Sequence, residues 1–342
     1  MMKAVAFTKS LPISDPESLQ DIELPIPSVS GRDLLVAVEA ISVNPIDSKV
    51  RLRALPEKGE PKIVGFDAIG TVVEAGPECE LFKKGDRVFY AGDVGRAGSN
   101  AEYQLVDERI VGFAPKAIDK AQAVAMPLTA ITAYEMLFDR LGIQHKAPFI
   151  TQEPVLLITG AAGGVGSAMI QLAKIQCPNA LVIATASRPE SQAWCLEMGA
   201  DHVINHHQGI QSELARIGIT NVSHIASLTH TADHYPDFVE VIQPQGKICL
   251  IDDPAKPLDI QPLKMKSVSL HWELMFTRPR FQTEDMIRQH HILNEVAQWL
   301  DKGRLISTQR QHLGSINAEH LKQAHSLIES SSVIGKIVLE GF

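Results

Sequence analysis

The chain is expected to be an α/β protein that joins a β-rich, barrel-like part to a doubly wound parallel sheet. Three observations predict this class. The first is the run Val155-Leu156-Leu157-Ile158-Thr159, which ends abruptly in a Gly/Ala-rich turn before Val165, Ala168, Met169, Leu172 and Ala173 recur at helical spacing. That is a buried strand, a tight turn and a helix. The second is an alternation from Leu181 onward, in which strands Leu181–Thr185, Val203-Ile204, His224–Leu228 and Lys247–Ile251 are interleaved with helices over Glu190–Met198 and near Tyr235–Ile242. Such alternation puts helices on both faces of a parallel sheet. The third is residues 1–127, where Lys3–Phe7, Leu34–Ile41, Ala68–Glu74, Asp86–Tyr90 and Ala101–Val106 form short apolar or alternating runs between Gly, Pro and Asp. A helix is expected over Thr129–Phe138, another from about Thr283 to Lys302, and a last strand over Val333–Leu339.

With 342 residues, 45% of them hydrophobic and 21% charged, the chain has room for two cores and the composition of a soluble globular protein. No apolar run is long enough to span a bilayer, and Met1-Met2-Lys3-Ala4-Val5-Ala6-Phe7 turns polar too soon for a signal peptide, so no membrane partner and a cytoplasmic location are expected. A formal charge of −8 without a Lys/Arg cluster argues against nucleic acid. Cys79, Cys177, Cys195 and Cys249 lack Cys-x-x-Cys spacing and read as free thiols.

The turn carries the chemistry. Ala161-x-Gly163-x-x-Gly166 has the spacing of a dinucleotide fingerprint, in which small residues let the backbone approach a pyrophosphate at a helix N-terminus. Ala161, Gly163, Gly164, Val165 and Gly166 are therefore candidate cofactor contacts; the plain alternative is a flexible loop. At the end of the second strand an NAD site places a carboxylate on the ribose, but here that position is Ala186, succeeded by Ser187 and Arg188. Ser187 can donate a hydrogen bond and Arg188 a charged fork to a 2′-phosphate, which favours NADPH. Arg188 also reads as a solvated residue before Pro189.

Val43-Asn44-Pro45-Ile46-Asp47, the Gly65 to Val88 segment, Thr129-Ala130-Ile131-Thr132-Ala133-Tyr134 and Ala161 to Gly166 together resemble the medium-chain dehydrogenase/reductase superfamily. Within it the chain is similar to the quinone oxidoreductase branch. Glu273-Leu274-Met275-Phe276-Thr277-Arg278-Pro279 through His290-His291 resembles its zinc-type alcohol dehydrogenase-like group. The resemblance implies a GroES-like β-barrel catalytic domain over 1–128 and 266–342, a Rossmann NADP-binding domain over 129–265, an active site in the cleft between them, and a homodimer.

The resemblance also implies where metal-dependent members hold zinc: a Cys at the place of Asn44, a His at that of Phe66, and a Cys or His near Leu128. Phe and Leu offer no electron pair, which leaves Asp67 as the one position still able to ligate. The cysteines of a structural zinc lobe are absent too, since Cys79 is the only Cys before Cys177. Of the 13 histidines, the adjacent pairs His206/His207 and His290/His291 point apart in regular structure and read as solvated surface. No metal is expected. Without one, the expected chemistry is hydride transfer from NADPH to a quinone or an α,β-unsaturated carbonyl, whose developing charge falls on an oxygen that hydrogen-bond donors can stabilise. Asn44 is the candidate polar group beside the reacting ring, or simply a turn-forming residue before Pro45. Asp47 and Asp67 are the accompanying carboxylates, with Asp47 equally readable as a solvated loop residue. Thr132, Ile251 and Phe276 are further candidate cofactor contacts, Thr132 by the resemblance. Phe66, Tyr90, Trp272 and Phe276 are candidate flat walls or ordinary core. A zinc-dependent alcohol dehydrogenase and a non-catalytic, crystallin-like NADPH-binding protein are the alternative functions.

Overall fold

The computed structural model describes residues 1–54, 56, 60–143 and 153–342. The chain divides into two compact units, one of residues 1–131 with 276–342 and one of residues 132–275. The second unit runs past its expected end at 265. The reason is a strand missed in the sequence, Ser269–Trp272, which pairs in parallel with Ile242–Leu250 and so belongs to the second sheet.

In the first unit the long strand Asp33–Val43 is the axis. It pairs antiparallel with Ala68–Ala75 and Tyr103–Asp107, and its last residues pair with Lys336–Glu340, the closing strand of the chain. Register shifts after Leu35 and Val38 mark bulges, which bend a strand and raise its twist so that one sheet curls toward a barrel. Seven strands form this sheet and Met2–Phe7 centres a smaller one of three. Leu34, Val36, Ala40, Ile41, Ile69, Val88 and Phe89 are almost fully buried within it. Each such large aliphatic or aromatic side chain stabilises the fold by about 1.5–3 kcal/mol.

Two helices of this unit, Pro45–Arg53 and Ala318–Glu329, pack together over a buried polar contact. Arg51 is fully buried, its guanidinium donating to the Leu11 carbonyl, to Glu329 and, through Nε, to His325 Nδ1 at 3.4 Å. Ser48 Oγ lies 3.2 Å from the same ring nitrogen. Burial and then the Arg51 charge push the His325 imidazole down to about 3.

The second unit is a six-stranded, wholly parallel sheet. Numbered in chain order within the unit, Val155–Thr159, Leu181–Thr185, His202–Ile204, Val222–Ser227, Ile242–Leu250 and Ser269–Trp272 lie in the spatial order 3-2-1-4-5-6, that of a dinucleotide-binding sheet. Leu157, Ile183, Ile225 and Ile248 align across it in register and pack under Ile210, Leu214, Phe238 and Val241 from the helices of one face. Helix Gly164–Gln176 lies against Leu181–Thr185. It is buried continuously from Gly166 to Ala173, more completely than the one-sided stripe read from its sequence. The expected helix at Thr129–Phe138 starts at Pro127 and widens after Tyr134 into π-helical turns over Glu135–Arg140. The helix expected from Thr283 begins at Arg288, and the last strand begins at Lys336, after Gly335 at φ +62°. Among the described residues no helix is long and apolar enough to cross a membrane.

His325 is neutral in the folded protein, whereas an unfolded histidine takes up a proton below about 6.5. The unfolded state then binds more protons, so this contribution to stability is full above about 6.5 and is lost as pH falls toward 3. The urea midpoint of the native protein is expected to drop relative to that of His325→Gln between pH 7 and pH 5. Parallel midpoints across that range would overturn the assignment.

Candidate functional site

Parallel strands all present their C-terminal ends to one edge, and the second unit gathers its candidate residues there. Strand Val155–Thr159 ends at Gly160, whose φ of +64° makes the sharp turn. The left-handed residue is thus Gly160, one position before the Ala161 that the fingerprint spacing picks out. Gly163 is the N-cap of helix Gly164–Gln176, and the first N–H groups of that helix have no acceptor within it. A Cβ on Gly166 would stand 2.4 Å from the Ala161 carbonyl oxygen and 2.5 Å from its Cα. Only glycine lets the helix start this close to the strand end. Ser167 locks the first turn, its Oγ donating to Gly163 O at 2.7 Å and accepting from Trp194 Nε1 at 2.8 Å.

Strands 1 and 4 of this unit pair side by side where the strand order reverses, the point at which sheets of this order bind their ligands. A chain of hydroxyls holds that point: Leu228 N donates to Thr159 Oγ1 at 3.2 Å, and Ser227 Oγ lies 2.7 Å from Thr231 Oγ1, which donates to Asp252. None of Thr159, Ser227, Thr231 or Asp252 was singled out by a sequence motif. Beside it, strand Leu181–Thr185 ends in Ala186, whose N–H donates to Ile204 O at 3.0 Å. Ser187 is half-buried and Arg188 exposed, at the N-cap of helix Pro189–Glu197. Ile251 comes after strand Ile242–Leu250 at the same edge, its N–H donating to Ser227 O at 3.2 Å. Thr132 is 5% exposed in helix Pro127–Tyr134.

The first unit has its own polar centre. Strand Asp33–Val43 ends where helix Pro45–Arg53 begins, with Asn44 as N-cap and Pro45 at the position where its missing N–H costs nothing. Asn44 N–H donates to Asp47 Oδ2 at 2.6 Å. Asp67 precedes strand Ala68–Ala75, which places it beside Ser42, and Lys336 begins the strand that pairs Ile337 with Val43. Three neighbouring strand ends therefore bring Asn44, Asp67 and Lys336 together, all at most 3% exposed. Asn44 Nδ2 donates to Asp67 Oδ2 at 2.8 Å, Lys336 Nζ donates to the same oxygen at 2.9 Å, and the Leu128 N–H donates to Asp67 Oδ1 at 2.7 Å. That amide lies in the first turn of helix Pro127–Tyr134, where the dipole favours a carboxylate. Burial pushes the Asp67 carboxyl up, against the pull of Lys336, Asn44 and Leu128. Asp47 is raised to about 7, chiefly by burial, with the Asn44 N–H and the Lys336 charge opposing.

Asn44, Asp47 and Asp67 thus meet, and Asp47 is a buried residue rather than a solvated loop carboxylate. Lys336 was missed. Its only signal in the sequence was a charge among Ile334, Ile337, Val338 and Leu339, where the apolar run calls for burial. Phe66 and Phe276 are both buried and meet edge to face at 5.2 Å. Tyr90 is buried opposite Ala68 in the sheet, and Trp272 is 55% exposed in the other unit. The histidine pairs divide. His290 is buried, donating from Nδ1 to Val111 O at 2.6 Å and accepting from Asn294 at 2.9 Å, so it is not the solvated residue expected from adjacency. His206 and His207 keep their rings 4.4 Å apart. Burial, helped by His207, His234 and His230, lowers His206 to about 4. All four cysteines are free.

Two family models match the chain, the alcohol dehydrogenase GroES-like domain over residues 30–116 and the zinc-binding dehydrogenase over residues 198–339. A zinc-type alcohol dehydrogenase-like protein of Staphylococcus aureus is 41% identical over 338 residues, covering 99% of each chain. A quinone oxidoreductase of Lama guanicoe is 29% identical over 351 residues, covering 99% of this chain and 97% of its own. Among solved structures, a Rhizobium etli CFN 42 protein named for zinc-dependent alcohol dehydrogenases shares 50% identity and superposes with a TM-score of 0.95, over 100% of this chain and 98% of that one. At 23% identity and a TM-score of 0.80, over 99% of both chains, the Escherichia coli quinone oxidoreductase complexed with NADPH shares the fold. The chain belongs to the zinc-type alcohol dehydrogenase-like proteins of the medium-chain dehydrogenase/reductase superfamily, and is an oxidoreductase with a GroES-like domain and a Rossmann sheet.

Proposed function

We propose that the protein transfers hydride from NADPH to a quinone or an α,β-unsaturated carbonyl compound without a metal ion. The observation that carries this reading is the donor set around Asn44 and Asp67. A catalytic zinc needs three good protein ligands and an open position. Among the described residues no group of three or more His, Cys, Asp or Glu could hold a metal. Phe66 and Leu128 bring carbon to the positions where the family resemblance implies ligands, and the Asn44 amide is already bound on both its oxygen and its nitrogen. These residues do not fit zinc. Quinones and enones suit a site without a Lewis acid, because conjugation carries the developing charge to an oxygen.

The second unit fits a dinucleotide. In this reading the N–H groups of Gly164, Val165 and Gly166 hold the pyrophosphate, and Gly163 and Gly166 keep the backbone close enough to reach it. Ser187 donates to a 2′-phosphate and Arg188 neutralises it, while Ala186 offers no carboxylate to repel it. Thr132, Ile251 and Phe276 complete the cofactor contacts. NADPH, when bound, supplies the hydride. Asn44, Asp47 and Asp67 keep the polar centre of the catalytic unit fixed, and Asp47, raised to about 7, holds a proton up to neutral pH. The quinone oxidoreductase names and the NADPH-complexed neighbour support the same substrate and cofactor classes.

Three outcomes test this. The purified protein is expected to oxidise NADPH with quinones and enones and to leave simple alcohols untouched in the reverse direction with NADP; turnover confined to alcohols would overturn the substrate class. Elemental analysis is expected to find no stoichiometric zinc, with reduction undiminished in chelator, whereas a tightly held zinc whose removal abolishes activity would refute the metal-free reading. Arg188→Ala should raise the KM for NADPH about tenfold, the effect of one lost charge-assisted hydrogen bond, and change that for NADH little. Equal effects on the two cofactors would remove Arg188 from the 2′-phosphate site.

A further inference from the structure

We propose that the Asp67 carboxylate, the Asn44 amide oxygen and the Val43 carbonyl form an oxygen-lined cation site whose resident cation is the chain's own Lys336. Lys336 is then a positioning residue for the reduction proposed above. Its effect on turnover rests on that reading; its occupancy of the site does not.

The geometry is that of a filled site. Lys336 is 3% exposed, and its three ammonium hydrogens meet three acceptors: Asp67 Oδ2 at 2.9 Å, Val43 O at 3.1 Å and Asn44 Oδ1. No hydrogen remains for a ligand, so the ammonium acts through its neighbours. It decides which way the Asn44 amide faces, because the flipped amide would set NH₂ against NH₃⁺. With Oδ1 held by Lys336, Nδ2 gives one hydrogen to Asp67 and turns the other toward the Ser42 and Phe66 carbonyls, each at 3.4 Å. Among the described residues Lys336 is the cation paired with Asp67, and Asp47, the other carboxyl coupled to it, is pushed up to about 7 chiefly by burial. The backbone fixes its place: Lys336 N–H donates to Thr308 O at 2.8 Å, and Ile337 pairs with Val43.

The chemistry of the site selects its occupant. One carboxylate and two neutral carbonyl-type oxygens balance a single positive charge and match the three directed N–H bonds of a primary ammonium. A planar guanidinium, with its donors spread over a fork, fits three acceptors converging on one point poorly. A zinc ion would find one charged ligand and no nitrogen or sulfur.

Lys336→Ala deletes three methylenes and the ammonium, a fragment equal to n-propylammonium. Thermal melting, NADPH binding and turnover of a quinone are measured for this variant with n-propylammonium or tetramethylammonium chloride at equal ionic strength. The variant is expected to melt lower than native and to lose at least about tenfold in turnover while NADPH binding stays within about twofold. n-Propylammonium should restore melting temperature and turnover saturably; tetramethylammonium, which has the charge and no N–H, should not. Should the alanine variant fail to fold, the double variant Lys336→Met with Asp67→Asn removes both charges together. It is expected to melt near native yet remain slow and insensitive to amine. Native melting and turnover in Lys336→Ala, equal rescue by the two cations, or native turnover in the double variant would each overturn the proposal. If the native protein reduces no quinone or enone, the functional reading fails, and the amine-dependent melting still decides whether Lys336 fills a cation site.

Discussion

A carboxylate shut away from water must find its hydrogen bonds inside the protein, and the first unit is arranged around that requirement at Asp67. Its donors come from three places in the chain: Asn44 at the end of the axial strand, the first turn of the helix from Pro127, and Lys336 at the start of the last strand, while Ser99 Oγ at 3.1 Å and Ser42 N–H at 3.4 Å donate to the Asp67 backbone carbonyl. Losing one partner of such a buried pair costs about 3–5 kcal/mol, comparable to a large part of a domain's net stability. The register of the strands ending at Val43, beginning at Ala68 and beginning at Lys336 is therefore bound to one charge. A slip of a single residue would carry the lysine to the opposite face of the sheet.

The second unit meets a different constraint, one of space and dipoles. Its strands all point one way, so the six C-terminal ends share an edge and the helix after the first strand aims its N-terminus there. Gly160 turns the chain and Gly166 admits the backbone, while Thr159, Ser227 and Thr231 link their hydroxyls at the paired ends of strands 1 and 4. Asp252 is already engaged at this edge, accepting from the backbone and hydroxyl of Thr231. The first N–H groups of the helix from Gly164 have no acceptor within that helix, and these are the donors an anion meets.

Local pattern made much of this legible. The strand, turn and helix from Val155 to Lys174 are contiguous, and their apolar spacing and glycines carry the information within roughly twenty residues, the scale on which periodicity speaks. The Asn44 and Asp67 candidates came from the family resemblance, carried by the short motifs around them. Lys336 did not, because what makes it functional is a contact across 292 residues of chain with Asn44, a matter of strand pairing that no window contains. Ser269–Trp272 escaped for a related reason: Ser-Leu-His-Trp is too short and polar to read as a strand, and only its parallel neighbour makes it one. His290 was misread because adjacency in sequence said nothing of the Val111 carbonyl that holds its ring.

The family name and the donor set point in different directions, and the physical reason is that descent is recorded by the whole chain while a metal is held by a few atoms. Identity of 41% across 338 residues preserves the barrel, the sheet and the turn that position the site residues of each unit. In the metal-free reading an amide and a phenyl ring stand where the resemblance implies sulfur and imidazole, and the strands do not depend on that difference, because their pairing rests on backbone and on buried volume. What cannot be left in place is the bare charge of Asp67. A buried carboxylate in this position must be matched by a cation, and here a lysine that begins the last strand stands where it can do so, already covalently attached. Such a cation needs no recruitment from solution and cannot dissociate. In the metal-free reading proposed above it offers no vacant coordination position, so stabilising charge on a substrate oxygen would fall to hydrogen-bond donors, which favours acceptors whose own conjugation carries the charge outward.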